Sequence, residues 1–327
     1  MRSDDTMNKK PLVMAHRGAS GYLPEHSLAG KAVACAFGVD YVELDAIMTK
    51  DDRVIVFHEH YLDAMTNVAE LFPDRKRKDG WHYAVDFTLA EIKTLRLHER
   101  IHTNTGKQMY PSRFPVGSAV HFEVPTLEEE IELIQGLNAS MGRSVGIYIE
   151  PKGPSFHRNE GKNIEEAVLH VFKQYGYSSR SSRCFIQSFE PDSIRYMRHT
   201  LKSDLTMVQL IGDISWEETP GVDYDRMRTP EGLDEVARYA DHIGPWQNQI
   251  VVDEGAGIPP VFTRLVEWAH ERHMDVHSYT FRADAMPSYA DSFDGLLDTF
   301  FNRAGIDGIF TDFPDRAIDF LRARGLR

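Results

Sequence analysis

The sequence predicts an α/β fold, a (β/α)₈ barrel that spans residues 11–327. Eight short apolar segments have the length and composition of buried strands, and most are followed by a segment with helical spacing. Polar and charged residues come at the ends of several of these strands, which is where a barrel of this kind builds its active site. An open doubly wound sheet is the alternative, but no glycine-rich dinucleotide turn supports it.

The eight barrel strands are predicted from the apolar segments and the turn residues that bound them. They begin at Pro11, Tyr41, Val145, Cys184, Leu205, Asp241, Asp275 and Gly308. Residues 54–57 form a further strand, separated from the second barrel strand by residues 48–53 only. This linker is too short for a parallel crossover, so we expect an antiparallel hairpin whose second strand lies outside the parallel sheet.

The predicted helices lie between these strands and are bounded by capping residues. A helix over residues 25–37 ends before Gly38, and Thr126 with Glu129 forms a capping box that opens a helix ending near Gly136. Further helices are predicted for residues 164–175, 191–201, 230–239, 260–273 and 315–324.

Residues 61–124 interrupt the alternation of strands and helices. The segment is rich in Arg, Lys, Asp, His and aromatic residues, with only a brief helical stretch over residues 89–97. We predict a small inserted subdomain after the second barrel strand and its hairpin. Long excursions in α/β domains often shape the mouth of a site, although a surface decoration without contact to substrate is the alternative.

Composition narrows the classes of partner. A net charge of −13 and a pI near 5.6 argue against nucleic acid and require local cations or a metal beside any anionic substrate. No apolar run approaches the roughly 20 residues of a membrane span. The first ten residues carry no apolar signal core, which predicts a cytoplasmic protein, or a periplasmic one if the chain is a processed form. Cys35 and Cys184 lie in apolar runs and are predicted to be buried free thiols.

Three carboxylates predict a metal site. Glu43 and Asp45 are two residues apart in a strand, so both point to one face, where they could not both stay ionised without a cation. Glu150 ends the next barrel strand and is positioned to supply a third carboxylate. A hard divalent ion, Ca²⁺ or Mg²⁺, suits such oxygen ligands. A solvated strand face is the alternative for the pair taken alone.

Two histidines and two cations come at the same ends of strands. His16 closes the first strand and His58 the hairpin strand, and two imidazoles can serve as acid and base near neutral pH. His60 competes with His58 for the second role. Arg17 and Lys152 could bind a phosphate, or could pair with the neighbouring carboxylates. Together these groups suit metal-assisted cleavage of a phosphate ester. The chain shows no nucleophile elbow, Walker loop or cysteine cluster for zinc.

Five motifs, taken in order, resemble those of the glycerophosphodiester phosphodiesterase family, and most closely its larger bacterial, periplasmic-type members. The motifs are His16-Arg17-Gly18, Pro24-Glu25-His26-Ser27, Glu43-Leu44-Asp45, His58 and Glu150-Pro151-Lys152. The resemblance implies a (β/α)₈ barrel that hydrolyses glycerophosphodiesters, such as glycerophosphocholine or glycerophosphoethanolamine, to sn-glycerol 3-phosphate and an alcohol.

The resemblance also implies roles for single residues. Glu43, Asp45 and Glu150 would hold one divalent cation, Ca²⁺ or Mg²⁺. His16 and His58 would be the general acid–base pair. Arg17 and Lys152 would bind the phosphoryl oxygens, and Phe189 and Tyr279 would line the glycerol side of the pocket.

The chain departs from the family pattern at two places. His26-Ser27 stands where Asn-Thr is usual, and Glu59 follows His58 where Asp is usual. Glutamate can still orient an imidazole, so we expect tuned activity and not its loss. Two other functions are alternatives to the hydrolysis of glycerophosphodiesters. One is a phospholipase-type phosphodiesterase acting on intact lipids, and the other is a binding protein that has lost turnover.

Overall fold

The structure is a computed structural model that describes residues 10–216 and 219–327. The residues on which we predicted the absence of a signal core lie outside this part of the chain, except for Lys10. The described strands, in chain order, are β1 Leu12–Ala15, β2 Tyr41–Met48, β3 Val54–Val56, β4 Gly146–Pro151, β5 Cys184–Ser188, β6 Thr206–Ile211, β7 His242–Pro245, β8 Val251–Val252, β9 Val261–Phe262, β10 His277–Phe281 and β11 Gly308–Thr311.

The described helices lie mainly between these strands. They are α1 Leu28–Phe37, α2 Val68–Leu71, α3 Leu89–Ile92, α4 Leu127–Met141, α5 Pro154–Asn159, α6 Ile164–Gln174, α7 Pro191–Arg195, α8 Tyr224–Met227, α9 Pro230–Val236, α10 Leu265–His270, α11 Phe293–Asp298 and α12 Pro314–Ala323. Helices α7 and α11 continue as π-helical turns over Tyr196–Thr200 and Thr299–Ala304. None of the described helices is both long enough and apolar enough to cross a membrane.

Eight parallel strands form the predicted barrel. Their order is β10, β11, β1, β2, β4, β5, β6, β7. Single bridges from Ile243 to Val276 and from Trp246 to Tyr279 join β7 to β10 and bring the ring close to full closure. Strand β3 pairs antiparallel with β2 outside the ring, as the short linker predicts. All eight predicted barrel strands and the hairpin are therefore confirmed.

Side chains alternate along β2, so its residues are divided between two apolar clusters, one on each face of the sheet. Val42, Leu44 and Ala46 belong to the large apolar core between the strands and the helices. Tyr41, on the opposite face, packs with Tyr148 in a small cluster inside the barrel. Glu43 and Asp45 share that inner face because side chains alternate along a strand. The period-two pattern of β2 thus directs its carboxylates into the barrel.

Residues 61–124 pack around a third apolar core, which they share with the β2–β3 hairpin. Its members include Ile47, Phe57, Leu62, Phe87 and Leu97. Bridges from Thr66 to Leu97 and from Leu97 to Phe122 hold the segment together. This arrangement sets the segment beside the barrel at the hairpin that carries His58.

Helix ends are less accurate than the helices themselves. The capping box of Thr126 and Glu129 is confirmed, but α4 continues past Gly136 to Met141. Gly136 is exposed with open space around it, and a single glycine costs a helix only about 1 kcal/mol. Gly142, with φ of 62°, ends the helix instead.

Two elements near the end of the chain also differ from the prediction. The helix predicted over residues 260–273 begins only at Leu265, because residues 261–262 pair with β8 in a small hairpin. Helix α11, between the last two barrel strands, was not predicted.

The cysteine prediction is confirmed, since Cys35 and Cys184 are buried and free.

Candidate active site

A cavity of about 190 Å³ opens at the carboxyl ends of the barrel strands. All nine residues singled out from the sequence line it, namely His16, Arg17, Glu43, Asp45, His58, Glu150, Lys152, Phe189 and Tyr279. His60, the competitor of His58, does not line the cavity. Its ring stacks on Phe156 at 4.2 Å between centroids. The structure therefore brings the predicted set together and separates His60 from it.

The carboxylates reach the cavity from adjacent parallel strands. Asp45 of β2 lies opposite Glu150 of β4 in the register, and Glu43 lies one pleat deeper. Glu43 and Asp45 are almost completely buried, with 2 % and 1 % of their surfaces exposed. Two neighbouring strands thus present three carboxylates to one space, as the strand-end positions predict.

The loop after β1 turns the backbone into the site. Arg17 and Gly18 both adopt left-handed conformations, with φ of 57° and 92°. The Arg17 amide donates a hydrogen bond to Oε2 of Glu43 at 2.7 Å. A side chain at Gly18 would lie 3.0 Å from the backbone of Gly30, so glycine allows both the turn and the close packing.

Each site histidine is tied through Nδ1 to a carboxylate. His16 Nδ1 lies 2.7 Å from Oδ1 of Asp312, and His58 Nδ1 lies 3.0 Å from Oε1 of Glu59. Since an ionised carboxylate can only accept, each Nδ1 carries the proton, and each Nε2 is left to exchange protons elsewhere. Glutamate after His58 thus still reaches the imidazole despite its extra methylene.

Burial and nearby cations keep both imidazoles neutral. Burial, with the charge of Arg17, lowers the pKa of His16. Burial, with Arg17 and Lys152, lowers the pKa of His58. Both rings are therefore neutral near pH 7 in the substrate-free protein, which is the state that a general base requires.

The two carboxylates of β2 differ in their electrostatics. Burial and the charge of Asp45 raise the pKa of Glu43 to about 8. Burial would also raise the pKa of Asp45, but His58, the hydrogen bond from His26 and the charge of Arg17 hold it well below its ordinary value. The pair therefore shares one negative charge unless a further cation is bound.

His26, the departure from the usual asparagine, supports Asp45. Its Nε2 lies 2.9 Å from Oδ2 of Asp45, and its Nδ1 lies 3.4 Å from Nζ of Lys31. Burial and the charge of Lys31 lower the pKa of His26 to about 3. The ring is therefore neutral, accepts from Lys31 and donates to Asp45. The substitution retains a donor to this carboxylate.

The residues present fit a hard divalent cation. Three carboxylates reach one cavity, and the buried Oε1 of Gln187 there has no hydrogen-bond partner among the described residues. Within this part of the chain, no three His, Cys, Asp or Glu side chains already surround a common point, and Glu150 Oε1 lies 3.0 Å from Nζ of Lys152. Oxygen donors of this kind suit a hard divalent cation.

Aromatic rings form the opposite wall. Phe189 and Tyr279 meet edge to face at 5.9 Å, and the Tyr279 hydroxyl donates to the carbonyl of Ile211 at 2.8 Å. Trp216, which was not predicted, also lines the cavity and is 40 % exposed. Lys152 Nζ lies 5.5 Å from the centre of the Phe189 ring. The wall is apolar where the other side is charged.

Four residues in or beside the site were not predicted from the sequence, namely Gln187, Asp312, Arg100 and Arg113. Gln187 and Asp312 come at the ends of β5 and β11, so the positional rule that found the carboxylates would have found them too. Arg100 and Arg113 lie in irregular parts of residues 61–124, where no periodicity marks them.

Comparison with known proteins gives one consistent family. The sequence model of the glycerophosphoryl diester phosphodiesterase family matches residues 16–316. The chain is 42 % identical to a glycerophosphodiester phosphodiesterase of Haemophilus influenzae, covering 97 % of this chain and 91 % of that protein. It is 35 % identical to one of Treponema pallidum, covering 95 % and 91 %.

Solved structures share the fold. A putative glycerophosphoryl diester phosphodiesterase from Silicibacter pomeroyi superposes with a TM-score of 0.70 at 23 % identity, covering 97 % of this chain and 95 % of that one. A phosphodiesterase of Oleispira antarctica, in complex with the product sn-glycerol-3-phosphate, superposes with a TM-score of 0.62 at 21 % identity, covering 96 % and 97 %.

Proposed function

The chain belongs to the glycerophosphoryl diester phosphodiesterase family, and from this premise we propose that it hydrolyses glycerophosphodiesters such as glycerophosphocholine and glycerophosphoethanolamine. The products are sn-glycerol 3-phosphate and an alcohol. The family is generally metal-dependent, and we propose that this enzyme uses one Ca²⁺ or Mg²⁺ ion. The observation that supports this most strongly is the convergence of two oriented histidines, three carboxylates and two cations on one cavity.

We assign the cation to Glu43, Asp45 and Glu150. When bound there, a cation would neutralise charge on the phosphate and polarise the reacting oxygens. The side chains of Arg17 and Lys152 face the same cavity and supply the remaining positive charge for the phosphoryl oxygens. Burial would lower the pKa of Arg17, but the surrounding carboxylates raise it, so its charge is permanent.

His16 and His58 act as the acid–base pair. In the first step a glycerol hydroxyl of the substrate attacks phosphorus, the phosphorus–oxygen bond to the alcohol breaks, and a cyclic phosphate forms. The Nε2 atom of one neutral histidine takes the hydroxyl proton. The other histidine, doubly protonated when the anionic substrate is bound, gives its Nε2 proton to the leaving alcohol. Water then opens the cyclic phosphate with the two roles exchanged. The Nδ1 bonds to Asp312 and Glu59 leave both Nε2 atoms available for these transfers.

The aromatic wall binds the glycerol part. Phe189 and Tyr279 line the same cavity as the charged residues and pack against each other edge to face. Glycerol carries apolar C–H groups and small hydroxyls, which fit such a wall better than the charged side does. The Tyr279 hydroxyl is held by the carbonyl of Ile211, which fixes the ring.

The test is the release of sn-glycerol 3-phosphate from glycerophosphocholine with Ca²⁺, with Mg²⁺ and after chelation. We expect release with at least one ion and none with the chelator, with activity restored on adding the ion back. A folded protein that releases nothing would contradict the proposal. Assays with intact phospholipid and a binding titration with glycerophosphocholine would then separate the lipid enzyme from the silent binding protein.

A further inference from the structure

A buried arginine holds the carboxylate that orients His16. Asp312 accepts from His16 through Oδ1 at 2.7 Å and from Nη2 of Arg113 through Oδ2 at 2.6 Å. Arg113 Nε also donates to Oδ2 of Asp284 at 3.0 Å, and its guanidinium stacks on the Tyr110 ring at 4.1 Å. Arg113 is thus held by Asp284 and Tyr110, and it restrains Asp312 together with Arg282, whose Nε lies 3.6 Å from Oδ2 of the same carboxylate.

A second buried arginine holds the carboxylate that orients His58. Glu59 Oε1 accepts from His58 at 3.0 Å and from Nη1 of Arg100 at 2.7 Å. Arg100 Nη2 also donates to Oε1 of Glu25 at 2.5 Å, and the same oxygen accepts from Nη1 of Arg17 at 3.0 Å. Arg100 thus reaches two site residues, each through one glutamate.

Both arginines come from residues 61–124, outside the barrel. The Ile101 amide donates to the carbonyl of Ala64 at 2.9 Å, which fixes the backbone beside Arg100. The side-chain Nε2 of Gln108 donates to the carbonyls of Tyr110 and Arg113, at 2.7 and 3.4 Å, and closes the turn that presents Arg113. The inserted segment therefore carries its own supports for the two side chains.

We propose that Arg100 and Arg113 are positioning residues through which the inserted segment orients both histidines. The proposal rests on the proposed function, because it gives the histidines their acid–base role. Neither arginine lines the cavity, so each acts through a carboxylate. In each pair a charge-assisted hydrogen bond from the arginine restrains the carboxylate, and the carboxylate then holds the imidazole in the Nδ1–H tautomer.

Two variants, Arg113→Gln and Arg100→Gln, test the proposal in the full-length enzyme. Arg113→Gln should lower kcat by roughly 10–100-fold with little change in KM, because Asp312 serves only His16. Arg100→Gln should lower kcat and also raise KM, because Glu25 holds Arg17 as well. Arg113→Lys and Arg100→Lys should recover part of kcat, since a lysine keeps the charge but makes fewer fixed contacts.

Arg77 provides the matched control within the same segment. It pairs with Asp86 and Glu160, at 2.7 Å to each, and tethers the segment to the barrel without touching either histidine's carboxylate. We expect Arg77→Gln to leave kcat within about twofold of wild type, while any loss of thermal stability is similar to that of the other variants. Equal losses of kcat in all three variants would overturn the proposal.

Double variants separate positioning from general destabilisation. In an Asp312→Asn background, Arg113→Gln should cost nothing further, whereas Arg100→Gln should cost its full factor. In a Glu59→Gln background, Arg113→Gln should cost its full factor, whereas Arg100→Gln should cost only the rise in KM that comes from Glu25 and Arg17. Losses that multiply in every combination would mean that the arginines do not act through these carboxylates, and would refute the proposal.

A readout independent of turnover distinguishes this proposal from the proposed function. Nitrogen-15 spectra of histidine-labelled protein should show His16 and His58 as Nδ1–H tautomers. Arg113→Gln should shift only the His16 signals, and Arg100→Gln only those of His58. If the wild-type enzyme releases no product, the proposed function fails while these spectra still decide the positioning. Unchanged histidine spectra in both variants would overturn the proposal that the arginines position the histidines.

Discussion

Glu130 of helix α4 is predicted to make the stability of the protein depend on pH. Its side chain is completely buried, and neither carboxyl oxygen has a hydrogen-bond partner among the described residues. The nearby Lys31 Nζ lies 4.0 Å from Oε1 and donates instead to the carbonyl of Glu43 at 2.5 Å. Burial raises the pKa of Glu130 to about 7, against the opposing charge of Lys31. We therefore expect a protonated carboxyl at mildly acidic pH.

The raised pKa of Glu130 determines the sign and the size of the pH effect on the free energy of unfolding. Stability from the protonated carboxyl is fully present below the unfolded pKa of 4.5, and it is lost as the pH rises through about 7. The difference between the two pKa values corresponds to roughly 3 kcal/mol, at about 1.4 kcal/mol per pH unit. Glu130→Gln cannot ionise and should escape this loss. Relative to wild type, the variant should gain up to roughly 3 kcal/mol between pH 5 and pH 8.

Urea unfolding in chelator, followed by circular dichroism at several pH values, measures this gain. Glu132→Gln on the exposed face of the same helix is the control and should show no such trend. If Glu130 is instead the ionised partner of Lys31, its removal leaves a buried cation uncompensated. The variant would then lose about 3–5 kcal/mol at pH 8, and that result would refute the reasoning.

Three further predictions concern the site. His16→Ala and His58→Ala should each lower kcat by roughly 10²–10⁴-fold. The circular dichroism spectrum and the melting temperature should stay near those of wild type. Wild-type rates in both variants would contradict the acid–base assignment. His26→Ala should weaken Ca²⁺ binding, measured by calorimetry, by roughly 10–100-fold, because Asp45 loses a buried hydrogen-bond donor. His26→Asn should restore part of the affinity. Equal affinity in wild type and both variants would contradict the role of His26 as a support for Asp45. Saturating Ca²⁺ should raise the melting temperature, because an ion at 100 times its Kd raises the free energy of unfolding by about 2.7 kcal/mol. Glu43→Gln is the control, and its melting temperature should not change when Ca²⁺ is added.

The barrel could be predicted because each strand is a short apolar run that ends in turn residues or polar residues. The hairpin could be predicted because residues 48–53 cannot form a crossover. Helix ends depend on weaker signals. Gly136 stays within its helix because no packing excludes it, whereas Pro260 begins no helix because residues 261–262 pair with β8. Pairing of this kind depends on tertiary contacts that no local pattern encodes.

The site could be predicted where it follows from strand ends and not where it depends on the inserted segment. His16, Glu43 and Glu150 all follow the positional rule of the barrel. Arg113 contacts Asp312 across 199 positions of sequence, and Arg100 contacts Glu59 across 41. An arginine in an irregular charged segment looks the same whether it is solvated or buried against such a partner. Only the fold distinguishes the two cases.

The two histidines depend on the barrel to different degrees. His16 and Asp312 directly follow Ala15 and Thr311, which are paired in the register of β1 and β11, so the sheet itself sets them side by side. His58 follows β3, which lies outside the ring, and its carboxylate partner is its own neighbour in sequence. The barrel holds the backbone beside that pair, because the Phe57 amide donates to the carbonyl of Asp45 in β2 at 2.9 Å, but glutamate adds a rotatable bond that aspartate lacks. The orientation of His58 therefore depends on Arg100 and on the inserted segment more than that of His16 depends on Arg113.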